Sequence, residues 1–317
     1  MILCVSPNTG IERTWKIPKF EKGGVFRVAE ETILPSGKGI NVARAVQILG
    51  ESVKATGFTA GIQGRYFCKL AEDEGIAGSW VWVTGETRTA IAIYDPEGQT
   101  DATLLSAAGP KVSEWDWHRL HTRIRTLSRI TDLVSFSGSL PPGSSLAMFT
   151  NIIAELEAGG KNVWVDCDES TLEAALRARP TGVKINATEA SNLTGILVDN
   201  HAKALQAAEI LRRQGAEQVV LTLGSQGVIM KTETECWRAA PPESQHFVSS
   251  VGSGDSFLAG LLVGLVRKWP ISACLRSACA AGAANTLTPG GARFDYEAYQ
   301  AIMEQTTAQQ STSQDLF

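Results

Sequence analysis

A short stretch, Ser250-Val251-Gly252-Ser253-Gly254-Asp255-Ser256-Phe257, sets two glycines and an acid at the entrance to an apolar run from Phe257 to Val266. The first N–H groups of a helix lack partners within it and carry partial positive charge. Glycine lets a phosphate approach that backbone closely, so Gly252, Ser253 and Gly254 can form an anion hole. Asp255 in the same turn would repel a resting phosphate. It is therefore either a plain helix cap or a base beside a phosphoryl group in transfer.

Other phosphate-suited pieces are spread along the chain. Gly37-Lys38-Gly39-Ile40-Asn41 puts a cation between glycines and an amide at a second helix start. Arg27 and Arg88 offer forked guanidiniums, which suit phosphate when they are not merely solvated. Lys184-Ile185-Asn186-Ala187-Thr188-Glu189 ends a strand with an amide and a carboxylate. Such hard oxygen ligands suit Mg²⁺, although Glu189 equally suits the first turn of a helix. Ser137 and Gly138 lie in a small-residue loop, Phe136 to Gly143, at a strand's carboxyl end, where open α/β sheets bind ligands.

Spacing sets other chemistries aside. Thr32 stands where a P-loop would need its first glycine, and no Ser or Thr follows Lys38. Phe257 stands where a dinucleotide fingerprint would need its third glycine. His118 and His121 share a helical face without a third ligand nearby in sequence. The net charge of −4 with interspersed signs gives no basic face for nucleic acid or anionic lipid. The N-terminus lacks the flanks of a signal peptide, and Phe257 to Val266 is about half the length that spans a bilayer. Six cysteines without metal spacing read as thiols of a reducing compartment, so a cytoplasmic location is expected.

The elements that must position these groups follow from pattern. Apolar runs at Leu3 to Ser6, Val53 to Phe58, Leu133 to Ser137, Val163 to Asp166, Gly182 to Ile185 and Val219 to Leu223 predict core strands. Helical stretches at Asn41 to Leu49, Gln63 to Glu74, Glu114 to Leu127, Leu146 to Ala158 and Ala202 to Gln214 alternate with them. The expected class is α/β, a doubly wound and mostly parallel sheet with helices on both faces. Thr14 to Leu34 and Arg88 to Leu105 break the rhythm with β-type runs and no helix, which predicts a small antiparallel sheet covering the strand ends. The expected organisation is an enzyme-sized α/β body over 1–12, 36–86 and 106–305, a lid over 13–35 and 87–105, and a disordered polar tail over 306–317. Everything past Val251 reads as helix up to that tail.

The order and text of these motifs resemble the ribokinase-like carbohydrate kinases of the PfkB group, within it the sugar-phosphate kinases, from Met1 to about Tyr299. Gly85-Glu86-Thr87-Arg88 and Leu221-Thr222-Leu223-Gly224-Ser225-Gln226-Gly227 fit as well, and five motifs in the right order outweigh any one. The resemblance implies ATP and Mg²⁺ as cofactors, Asp255 as the base, and a homodimer joined through the lids, with no nucleic-acid or membrane partner. It implies that Lys184, Asn186, Thr222, Gly224, Ser225, Gly227 and Asn285 serve the nucleotide, and that Asn186 and Glu189 serve the metal. Arg27, Lys38 and Arg88 would hold a phosphate already on the sugar, with Gly37, Gly39, Asn41, Ser137 and Gly138 around the sugar. Glu12 stands where the family carries Asp on sugar hydroxyls, and its extra methylene bears on which ketose fits. The expected reaction is phosphorylation of a ketohexose phosphate, fructose 1-phosphate first, with tagatose 6-phosphate and fructose 6-phosphate as alternatives. Lys38 favours the first two, since the minor 6-phosphofructokinase type has Gly there. A nucleoside kinase would leave three basic groups without a role, and a non-catalytic sugar-phosphate binder would not need Asp255, Asn186 and Glu189.

Overall fold

The structure is a computed structural model that describes residues 1–98, 101–244 and 246–311. The chain opens with β1 (Ile2–Asn8), β2 (Gly10–Lys16), β3 (Glu31–Ser36), α1 (Lys38–Ile48), β4 (Val53–Ala60), α2 (Gly61–Asp73), β5 (Val81–Val83), β6 (Arg88–Tyr94) and β7 (Thr103–Ser106). It continues through α3 (Glu114–Ser128), β8 (Leu133–Ser137), α4 (Leu146–Ala158), β9 (Asn162–Asp166), α5 (Glu169–Leu176), β10 (Gly182–Asn186), α6 (Ala187–Thr194) and α7 (His201–Gln214). It closes with β11 (Gln218–Thr222), β12 (Val228–Lys231), β13 (Cys236–Ala240), α8 (Ser253–Val266), α9 (Ile271–Asn285), α10 (Tyr296–Gln305) and β14 (Thr307–Gln310).

Ten strands form one sheet in the order β14-β13-β12-β11-β10-β9-β8-β1-β4-β5. The pairings from β11 through β5 are parallel, and the last three strands at the other edge are antiparallel. Side chains alternate across a strand, and a sheet covered on both faces needs apolar groups on each. In β1, Ile2 and Cys4 enter the core beneath α1, α8 and α9, while Leu3 and Val5 enter the core beneath α3, α4 and α7. The doubly wound reading is realised. Among the described residues, no helix is long and apolar enough to cross a membrane.

The second sheet has the order β3-β2-β6-β7. It is mixed rather than antiparallel, because β2 and β6 pair in parallel from Gly10↔Arg88 to Lys16↔Tyr94. The reason lies in the large sheet. β1 runs into β2, and β5, parallel to β4 and so to β1, precedes β6. Both strands therefore leave the same edge in the same direction. The polar tail also departs from expectation. Thr307 to Gln310 pairs with Trp237 to Ala240 as an edge strand, so the open edge of β13 supplies backbone partners that composition does not reveal. The rest of the predicted tail, 312–317, lies outside the described residues. α5 and α6 were not anticipated; each is eight residues long and begins at a side-chain cap, Asp168 or Asn186.

Candidate active site

The carboxyl ends of β1, β8, β9 and β10 and the first turns of α1 and α8 converge. Gly252 precedes α8 at φ 78°, a left-handed conformation that favours glycine, and any side chain there would collide with the backbone of Ala292. Among the described residues, the N–H groups of Gly254 and Asp255 have no acceptor, whereas that of Ser253 donates to Ser250 O at 3.0 Å. Asp255 does not cap its helix. It is 6 % exposed and its Oδ2 accepts from Asn41 Nδ2 at 2.8 Å. The plain-cap alternative is thereby excluded.

Two ammonium groups stand beside it, both held by one acid. Asp166, at the end of β9 and fully buried, accepts from Lys38 Nζ at 3.1 Å and from Lys184 Nζ at 3.0 Å. A Cβ placed on Gly254 would lie 2.8 Å from Lys184 Nζ, so the glycine lets that ammonium sit against the first turn of α8. Burial alone would raise the Asp166 carboxyl, but Lys184 and Lys38 hold it below its ordinary value. Lys38 is raised, first by Asp166 and then, against its burial, by Asp255 and Glu189. Burial pushes Asp255 up to about 6, with Lys38 opposing that rise and Asp166 adding to it. An acid raised toward neutrality is poised to accept and release a proton.

Each predicted residue has a definite place. Gly37 and Gly39 press α1 onto β1, where a Cβ would meet Ser6 at 2.7 and 2.8 Å. Gly138 packs near Lys38, and its N–H donates to Asp166 O at 2.9 Å, while Ser137 is buried against Ser135 at 3.0 Å. Arg88 opens β6 and donates from Nε to Asn8 O at 3.2 Å and from Nη1 to Ser106 Oγ. With Asn8, Ser106, Ser139 and Pro142 it lines a cavity of about 360 Å³. Burial lowers the Arg88 guanidinium, and the Glu12 carboxylate counters that shift. Glu12 is itself buried and accepts from Thr14 and Ser36 hydroxyls at 3.5 and 3.4 Å.

Lys38, Arg88 and Arg27, expected to hold the sugar's phosphate, have different surroundings. Lys38 sits with Asp166, Arg88 at the base of the small sheet, and Arg27 in the exposed loop between β2 and β3. A buried carboxylate attracts Lys38 more strongly than an empty cavity can. A larger cavity of about 600 Å³, lined by Arg179, Arg212, Arg213 and Gln218, lies at the opposite, amino end of β11, away from these groups.

On the nucleotide side, Asn186 and Glu189 form a reciprocal cap on α6. Glu189 N donates to Asn186 Oδ1 at 2.9 Å, and Asn186 N donates to Glu189 Oε2 at 3.1 Å. Among the described residues Glu189 Oε1 keeps no partner, and no cluster of three or more His, Cys, Asp or Glu is set to hold a metal. One fixed carboxylate oxygen fits Mg²⁺, which takes few protein ligands and completes its shell with water and phosphate. Thr222 ends β11, and Gly224 and Ser225 are exposed in the turn that follows. Gly227 closes that turn, its carbonyl accepting from Leu223 N at 2.8 Å. Asn285, expected to serve the nucleotide, lies behind the glycine turn. It is 0 % exposed and donates to Val251 O at 2.8 Å, so it braces the turn before Gly252 from beneath.

Sequence reasoning missed Asp166, Asn8 and Arg44. Asp166 and Asn8 each end a strand of the parallel sheet at its carboxyl edge, a positional signal that was available. Arg44 closes the motif Gly37-Lys38-Gly39-Ile40-Asn41-Val42-Ala43-Arg44, but its partners, up to 247 residues away, gave no local sign of its role.

A doubly wound sheet with a second sheet over its carboxyl edge, and an anion-suited helix start facing a buried acid and two ammoniums, define a phosphotransferase with a carbohydrate-kinase architecture. The model of the pfkB family carbohydrate kinase matches residues 10–297, and the chain belongs to that family. It is an ATP-dependent sugar kinase. A 1-phosphofructokinase of Vibrio cholerae is 29 % identical over 304 residues, covering 96 % of this chain and 95 % of the relative. The solved phosphofructokinase-2 of Escherichia coli in complex with substrates and products is 27 % identical, covering 96 % of this chain and 98 % of that one with a TM-score of 0.87. A tetrameric inhibited form of the same enzyme matches at 27 % identity over 96 % of this chain and 98 % of that one with a TM-score of 0.86.

Proposed function

We propose that this kinase phosphorylates a ketohexose phosphate, with fructose 1-phosphate as the acceptor and fructose 1,6-bisphosphate as the product. The observation that carries the chemistry is the Asp255 carboxylate, buried beside Lys38 and Lys184 at the start of α8. Asp255 accepts the proton of the acceptor hydroxyl as that oxygen attacks the γ-phosphoryl group. The N–H groups of Gly254 and Asp255 and the two ammoniums stabilise charge spreading over the transferred oxygens, and they do so from fixed positions. Asn186 and Glu189 would hold Mg²⁺, which supplies neutralising charge to nucleotide phosphate when bound. Thr222, Gly224, Ser225 and Gly227 border the nucleotide.

Arg88, opening into the cavity with Asn8 and Ser139, binds the phosphate already on the sugar. Glu12, held by Thr14 and Ser36, takes a sugar hydroxyl. The naming of a curated relative as 1-phosphofructokinase supports this choice of acceptor. The small sheet serves as a lid whose closure excludes water. Its exposed Leu104 and Leu105 on β7, with Val25 in the neighbouring loop, suit pairing with a second copy's lid.

Asp255→Asn tests the chemistry. The variant should bind ATP with unchanged affinity by calorimetry while kcat falls roughly 10²- to 10⁴-fold, the range for a lost general base. A kcat within a few-fold of wild type would remove Asp255 from that role.

A further inference from the structure

Arg44 on α1 is a buried charge that the proposed reaction does not use, 5 % exposed. Its guanidinium donates from Nε to Glu74 Oε2 at 2.8 Å, from Nη1 to Asn41 Oδ1 at 2.9 Å and to Gly291 O at 2.7 Å, and from Nη2 to Pro35 O. These partners come from the end of α2, from α1 itself, from the loop before α10 and from the last strand of the small sheet's first pair. The 291–292 backbone is also what packs against Gly252 at the start of α8.

The contact with Asn41 has a directional consequence. A carboxamide has one acceptor end and one donor end, and a guanidinium is only a donor. Once Arg44 takes Asn41 Oδ1, the amide can present only Nδ2 to the opposite side. That Nδ2 donates to Asp255 Oδ2 at 2.8 Å, and Asp255 Oδ1 has no hydrogen-bond partner among the described residues. Without Arg44 the amide is free to turn its oxygen toward the carboxylate, which would repel it.

We infer that Arg44 is a positioning residue that fixes the Asn41 amide, and through it holds one oxygen of Asp255 while leaving the other for the acceptor hydroxyl. The inference rests on the reading of Asp255 as the base. Through Gly291 the same guanidinium ties the base to the backbone that shapes the glycine turn, so base and anion hole are set by one group.

The test compares Arg44→Lys, Arg44→Met, Glu74→Gln and Asp255→Asn in the intact chain. Steady-state kinetics with each substrate varied would be run from about pH 5 to 9, beside thermal melts. Arg44→Met should lower kcat roughly 10- to 100-fold, the scale for a sub-ångström loss of alignment, with the ATP KM changed less than about two-fold. Its acid limb in kcat should move to higher pH, because the donor that favours the ionised Asp255 is no longer held. The other charged groups facing Asp255 are Lys38 from α1, Asp166 from β9 and Lys184 from β10, and none is altered in these variants.

Arg44→Lys keeps a buried cation for Glu74 but lacks the fork. It should show the same upward shift and a smaller loss of kcat, and it carries the test if Arg44→Met does not fold. Glu74→Gln should stay within about three-fold of wild type with its acid limb in place, since Arg44 keeps three other acceptors. Wild-type kcat and an unmoved acid limb in both Arg44 variants would overturn the inference, as would an equal loss in Glu74→Gln with no pH shift. Wild-type turnover by Asp255→Asn would instead remove the base itself.

Discussion

The two sides of the site are built in opposite ways. At the carboxyl edge of the ten-stranded sheet, Asp166 at 0 % exposure grips the buried Lys184 and, from the solvent side, the partly exposed Lys38. On the four-stranded sheet, only the root carries a buried charge, Glu12, while the Arg13–Glu31 pair at 2.9 Å is partly exposed and Arg27 in the adjoining loop is exposed. Buried ion pairs hold geometry because losing one partner strands the other in a poor dielectric, whereas surface pairs add little. The difference teaches a division of labour. The large sheet holds its ion cluster by burial, and the lid role proposed for the small sheet calls for fewer such ties.

The comparison can be broken at its strongest point first. Asp166→Ala leaves two ammoniums beside each other without the carboxylate they share, and it should destabilise the fold by roughly 3–5 kcal/mol in urea unfolding, the cost of an orphaned buried charge. Full stability would mean that the lysines escape to solvent and that the cluster is not rigid. Arg88→Ala probes the small sheet's root. Loss of one charged hydrogen bond is worth roughly 1.5–3 kcal/mol, or about 10- to 150-fold in kcat/KM for the sugar phosphate, carried by KM. ATP affinity without sugar should hold steady. Unchanged sugar kinetics would make Arg88 a structural brace of Asn8 and Ser106 only.

A subtler contrast concerns pH. Asp255 is raised to about 6 by its burial, so the folded state binds its proton more readily than the unfolded chain does. Its burial therefore costs stability above pH 6 and is relieved as pH falls from about 6 toward its ordinary value near 4. Asp166 has the opposite sign, since its lowered carboxyl stabilises the fold above the ordinary value and loses that contribution on acidification below it. At pH 8, Asp255→Asn should thus have a urea midpoint no lower than wild type despite its lost turnover. A lower midpoint would place Asp255 among the fold's structural charges. The smallest effect is expected at Glu31→Gln on the small sheet, where melting should not shift measurably.

The sequence made some parts of this arrangement legible and not others. Apolar runs bounded by turn residues gave the six central strands of the ten-stranded sheet, β11 to β4, because both are local signals. The glycine turns at Gly37 and Gly252 were readable because their backbone conformations favour glycine. The parallel β2–β6 pairing and the β13–β14 edge were not, since strand partnership depends on groups far apart in the chain. Lys38 was readable as a functional cation but not as the partner of Asp166, a contact 128 residues distant. Asn285 was expected from the resemblance to serve the nucleotide, and its donation to Val251 O, 34 residues away, is a contact that no local signal carries.

The most direct test of the proposed reaction is ADP release by the wild-type protein with Mg²⁺ and a panel of acceptors. The panel is fructose 1-phosphate, tagatose 6-phosphate, fructose 6-phosphate, free fructose, ribose and adenosine. The account predicts the highest kcat/KM for fructose 1-phosphate. Free fructose should fall at least about 10-fold below it, because the charged contact at Arg88 then has no partner. Robust turnover of ribose or adenosine, with none of any ketose phosphate, would contradict it.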